Sequence, residues 1–181
     1  DAVTGDVKNV IDGTLSVGGD LIANSDITVE GTVTVTGNLT AASTIIVKNA
    51  ASVTVSSDIT VSDTVTVMTG GSLSSTGDIS ITSTGTISSD GTVSAGVDLI
   101  SDGLLSSGGT VTVGQDLEIQ DDGVVINSSS MTVTGDISND GNCVNNVTLS
   151  IGGNISNAAG STLTNSGMLH TDGNFTNAST A

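Results

Sequence analysis

Asx residues recur along this chain at spacings that would bring their side chains into line. Asp or Asn followed by an apolar residue falls at Asp6, Asp20, Asn38, Asp58, Asp78, Asp98, Asp116, Asp136, Asn154 and Asn174. The spacings are 14, 18, 20, 20, 20, 18, 20, 18 and 20 residues, all even. Gly precedes the motif in seven of the ten cases, the exceptions being Ser57, Val97 and Gln115. If successive repeats stack, Asp58, Asp78, Asp98, Asp116 and Asp136 form a column of like charges, which must be offset. A weak Ca²⁺ ladder is one solution, because a hard cation takes carboxylate oxygens. The other is that each side chain accepts backbone N–H bonds at its own corner, as Asx does in turns. Asn at three of the ten positions, and the absence of a Gly-Gly-X-Gly-X-Asp calcium motif, favour the second. No other cofactor is implied.

The remaining reactive groups are few. His170 and Asp172 could be drawn into a triad with one of many serines, but a triad is recognised by geometry and not by composition. The chain is therefore read as a non-enzyme. One His and one Cys cannot supply a tetrahedral zinc set. Cys143 has two readings: a small buried apolar side chain, or one half of an intermolecular disulfide. Six Asn-X-Ser/Thr sequons, at Asn38, Asn127, Asn146, Asn154, Asn174 and Asn177, are candidate glycan sites, though chance alone predicts about four. Ranks such as Thr32/Thr34/Thr36 and Thr110/Thr112 resemble the flat Thr-X-Thr arrays of ice-binding solenoids.

Charge narrows the partners further. Two Lys+Arg stand against 19 Asp+Glu, a net charge of −17, so no basic surface exists for nucleic acid. No apolar run approaches the ~20 residues that a bilayer-spanning helix needs.

The elements that must position these groups follow from parity. Of the Val, Ile, Leu, Met, Phe and Cys residues, 43 stand at odd positions and 10 at even ones. Strand side chains alternate between faces, so odd residues face inward and even residues outward. The phase survives the whole chain, which requires a repeat of even length. No 3.6-residue stripe appears, and Val, Ile, Thr and Gly dominate, so no helix is expected.

A repeat of 18–20 residues with short inward pairs, such as Val33/Val35, Ile45/Val47 and Val65/Val67, predicts one coil of a parallel β-solenoid. The fold expected is all-β: a single domain over 1–181 with about nine coils and incomplete terminal coils at 1–18 and 173–181. The general chirality of parallel crossovers favours right-handed winding; Leu21, Ile27, Val33, Leu39 and Ile45 recur every six residues as in left-handed solenoids, but the 20-residue coils break that register. An immunoglobulin-like sandwich is the rival, but it would not keep the Asx period.

Repeats such as Thr34-Val35-Thr36-Gly37-Asn38-Leu39, with the composition of the whole chain, resemble extracellular β-solenoid subunits of filaments and sheaths. The amyloid-like sheath proteins of methanogenic archaea are the nearest in kind, with a weaker likeness to bactofilins. That resemblance implies a structural subunit of a cell-surface polymer, partnered by copies of itself. A start at Asp1 without a charged-then-apolar leader is consistent with a mature secreted chain, which places it outside the cell. The alternative is a monomeric ligand-binding solenoid, of ice-binding or adhesin type. Polymerisation would run head to tail. Ala2, Val3 and Val7 at one end and Asn174, Phe175 and Thr176 at the other would combine two part-coils into one.

Overall fold

Stretches of three or four residues rich in Val, Ile, Leu, Thr and Ser alternate with short polar corners, and each stretch forms a strand. In the computed structural model, which describes residues 9–178, these strands wind into a parallel β-solenoid of nine coils. The first coil consists of β1 (Asn9–Ile11), β2 (Thr14–Val17) and β3 (Leu21–Ala23). The ninth consists of β25 (Thr162–Asn165), β26 (Met168–Thr171) and β27 (Phe175–Asn177). Each strand up to the eighth coil pairs in parallel with the strand three places on, giving three nine-stranded sheets that begin with β1, β2 and β3. The terminal coils expected at 1–18 and 173–181 are described only from Asn9 and up to Ala178.

Register makes each inward position a column along the axis. In the second sheet Val33 stacks on Leu15 and beneath Val53, and Val111 stacks beneath Met131. In the third, Leu39, Ile59 and Ile79 follow one another. A coil buries its apolar face only against its neighbours, so each coil depends on those above and below. The parity expectation holds: every buried residue among those described has an odd number. It fails at two apolar positions for local reasons. Val147 lies in a corner and is 48% exposed, and Phe175, expected to be buried, is 49% exposed because no described coil covers the ninth.

Two inner columns change chemistry along the axis. In the first sheet the column runs Val47, Val67, Ser89, Ser107, Asn127, Asn145 and Asn165. In the third sheet Ile119 is followed by Asn139, Asn157 and Asn177. Asn127, Asn139, Asn145 and Asn157 are buried, Asn165 and Asn177 are exposed, and the amides stack and bond to one another. Asn127 Nδ2 donates to Asn145 Oδ1 at 2.7 Å, and Asn145 Nδ2 to Asn165 Oδ1 at 2.7 Å. Asn139 Nδ2 donates to Asn157 Oδ1 at 2.6 Å, and Asn157 Nδ2 to Asn177 Oδ1 at 2.8 Å. A buried amide is tolerated only when it is paired, and in-register stacking supplies the partner.

The two faces of one strand provide a direct test. Val65, 1% exposed, sits in a stacked column of the first sheet, whereas Thr66 faces outward. Val65→Asp buries an unpaired charge and is expected to cost about 4 kcal/mol or more, while Thr66→Asp costs under about 1 kcal/mol. Urea denaturation of both variants measures the difference, and equal losses would contradict the assignment of faces.

Candidate functional site

The corner between the second and third sheets carries the Asx motif, and there the side chains form a continuous hydrogen-bonded ladder. Each Oδ1 accepts the backbone N–H of the equivalent Asx one coil further on. Asn38 donates to Asp20 at 2.8 Å, Asp58 to Asn38 at 3.2 Å, Asp78 to Asp58 at 2.9 Å and Asp98 to Asp78 at 3.0 Å. Asp116 donates to Asp98 at 2.9 Å, Asp136 to Asp116 at 2.7 Å, Asn154 to Asp136 at 2.6 Å and Asn174 to Asn154 at 2.9 Å. The sequence reading placed these bonds within each residue's own corner, and this is corrected: the bonds cross from coil to coil. Stacking makes the neighbouring coil's N–H the nearest donor.

The ladder also explains the preceding glycine. At Gly77, Gly135 and Gly153 an added Cβ would collide with the Oδ1 of Asp58, Asp116 and Asp136 respectively. Ser57, Val97 and Gln115 stand where Gly is absent, and there the bond persists at 3.2, 3.0 and 2.9 Å. Among the described residues no three His, Cys, Asp or Glu side chains converge in a group able to hold a metal ion. The residues of the expected Ca²⁺ ladder are thus brought into one row, with one carboxylate oxygen of each already engaged by a backbone N–H.

The other sequence candidates are scattered. His170 Nε2 and Asp172 Oδ1 lie 2.9 Å apart on the surface, with side chains 60% and 68% exposed. That is the one side-chain hydrogen bond of His170 among the described residues, and no serine joins it. Cys143 is 1% exposed, stacked between Val125 and Leu163, and burial pushes its thiol up to about 12 from 9.0. Of the glycan candidates, Asn127 is corrected: its side chain is buried and its amide is committed to Asn145, so it is closed to a glycosyltransferase. Of the assembly residues, Ala2, Val3 and Val7 lie outside those described, while Asn174, Phe175 and Thr176 lie at the edge of the ninth coil.

Two surface features were only partly legible beforehand. The outer face of the second sheet carries Ser or Thr at both outward positions of its first eight strands, from Thr14 and Ser16 to Thr148 and Ser150. Met168 and His170 end those columns. Charge is absent from that face because the acidic residues are in the corners. Among the described Asp and Glu residues only Glu118 lies on a strand.

Two predictions follow from this geometry. Asp98→Ala removes the acceptor for the Asp116 N–H and is expected to cost about 1 kcal/mol. Asp98→Asn keeps the acceptor, as Asn38 and Asn154 do, and is expected to be near neutral; chemical denaturation of the pair separates acceptor from charge. For Cys143, the folded thiol stays protonated where the unfolded one ionises. Its contribution is full below pH 9.0 and falls as pH rises toward about 12. Cys143→Ala should lose that alkaline component, and the native thiol should react slowly with alkylating reagents until the chain unfolds.

Comparison with known proteins places these coils in a recognised group. No curated protein and no solved structure matches the chain. The haemagglutinin repeat family matches at residues 2–63, 34–103, 90–159 and 144–181, overlapping segments that together cover nearly the whole length. The archaeal sheath and bactofilin likenesses are not returned. By this match and by its stacked coils, the chain belongs to the haemagglutinin repeat family.

Proposed function

We propose that the chain is a rigid, non-catalytic rod of an extracellular surface protein, adhesin-like or structural, that assembles by stacking of coils end on end. The observation that carries this reading is the unbroken match to haemagglutinin repeats along a solenoid whose coils are joined in continuous register. Parallel stacking leaves the edge strands of the terminal coils with N–H and C=O groups directed along the axis, and unpaired edges recruit further strands. The surface suits this role: the corners are acidic and the faces are largely neutral. The family is generally secreted or displayed at the surface, which agrees with an extracellular setting. Cations would act here by screening the corner charges and so permitting association, without a dedicated site.

A second reading, a monomeric ligand-binding solenoid, draws on the hydroxyl face of the second sheet. The two are separated by electron microscopy and sedimentation of the full chain. The nine described coils span about 40 Å at the strand spacing. The assembly reading expects longer multiples of the single rod, increasing with salt or divalent cations as repulsion is screened. Rods of one length under every condition would remove axial assembly and leave the monomeric reading.

A further inference from the structure

The turn between the first and second sheets changes length along the rod. Seven of the nine described coils make it in two residues, as at Glu30 and Gly31 or Asp90 and Gly91. The third and fourth coils use four residues each, 48–51 and 68–71. Each longer turn closes on itself: the Ala51 N–H donates to the Lys48 carbonyl at 3.1 Å, and the Gly71 N–H to the Met68 carbonyl at 2.8 Å. The two turns stack, with the Ala50 N–H donating to the Gly70 carbonyl at 3.2 Å. They share one backbone form, Ala50 at φ 61° and Gly70 at φ 78°. Glycine adopts that region freely, whereas Ala50 is the one described residue with a Cβ that is held there. Asn49 Oδ1 lies against Gly70, where an added Cβ would meet it. The result is a two-layer wall that stops where the fifth coil returns to the short turn. Backbone held in a disfavoured region by its surroundings is a pointer to function.

Beside the wall lies a groove of about 420 Å³, within the ~300–1,000 Å³ of small-ligand sites. Thr66 and Ser88, stacked on the outer face of the first sheet, line it together with Asn49, Met68 and Thr69 from the long turns and Asp90 from the short one. None of its five polar side chains makes a side-chain hydrogen bond among the described residues. The Asx corner differs, because each carboxylate there from Asp58 to Asp136 holds a neighbouring N–H. Met68, 39% exposed, sets an apolar patch among the polar groups.

One carboxylate, one amide and three hydroxyls offer acceptors and donors in several directions, and a flexible thioether fits irregular apolar shapes. A ring with adjacent hydroxyls on its rim and C–H groups on its face matches both. Its hydroxyls would donate to the Asp90 oxygens in charge-assisted bonds and exchange neutral ones with Asn49 and the threonines. Its C–H face would rest on Met68. An anionic sugar is opposed by Asp90 and by the net charge of −17. A cationic side chain would use Asp90 and leave the amide and hydroxyls unmatched.

We propose that this groove binds one or two neutral sugar residues of a glycan, with Asp90, Asn49 and Met68 as the principal contacts. The proposal rests on the adhesin-like part of the reading above and requires no stacking of rods end on end.

Saturation-transfer NMR on the full chain tests this, because it reads the signals of the sugar and works on rods of any length. The probes are the methyl glycosides of glucose, galactose, mannose and N-acetylglucosamine, with methyl glucuronoside and lysinamide as charged controls. At least one neutral glycoside should bind with Kd on the order of 1 mM, as a shallow polar site gives. Asp90→Ala should weaken that binding about tenfold, and Asn49→Ala and Met68→Ala about threefold each. Asp102→Ala, at a different corner, should leave it unchanged. Asn49, Met68 and Asp90 are exposed and make no side-chain hydrogen bond among the described residues, so the variants should melt with the parent chain. Binding of no neutral glycoside overturns the proposal, as does binding of lysinamide alone or as strong a response to methyl glucuronoside. So does glycoside binding that Asp90→Ala and Met68→Ala leave intact. Rod length does not enter the result, so axial stacking is judged separately.

Discussion

Register is the constraint on which everything else in this molecule depends. In a parallel solenoid with strands ~4.8 Å apart, the axial neighbours of a side chain are the occupants of the same position in adjacent coils. Whatever stands at a position must therefore be compatible with copies of itself. Aliphatic side chains meet that condition by burying one another. Asparagine meets it because its side chain carries both a donor and an acceptor, so a column of amides satisfies itself. An Asx corner meets it differently, by pairing each side-chain oxygen with the main chain above it. At Gly77, Gly135 and Gly153 the backbone comes so close to that oxygen that only a residue without a Cβ fits as it stands.

Much of the fold could be read from residue parity, because a repeat of even length carries the inward phase unbroken through every corner. Val33, Val65 and Val113 were assigned inward on that basis and are buried. The Asx period located the corners for the same reason. What could not be read was where the partners of the corner groups lie. Spacing brings Asp58 and Asp78 into line, but the choice of the Asp78 N–H over one in its own turn is made by the stacked geometry of the corner.

The inner asparagines were missed altogether. Asn127, Asn145 and Asn165 occupy odd positions at intervals of 18 and 20, as do Asn139, Asn157 and Asn177, so the signal was present. It was hidden because polar residues were read as surface or turn, although stacking makes the amide an interior residue. Asn127 suffered the same error as a sequon. Function was less legible than fold, since no convergent cluster of reactive groups exists among the described residues and the haemagglutinin repeat match supplies the setting.

The corner row has a consequence of a different kind. Asp58, Asp78, Asp98, Asp116 and Asp136 occupy five successive coils, with their exposed or half-exposed carboxylates in line at about the strand spacing. Two unit charges that far apart in water repel by about 0.9 kcal/mol, somewhat more than thermal energy. Such a row is a short, stiff polyelectrolyte. It gathers mobile counterions from the surrounding salt as a duplex does along its phosphates, though more weakly because its charges are further apart. The rod therefore carries along one corner an ionic atmosphere whose density follows the salt around it, and bringing two such rods together must displace or share it.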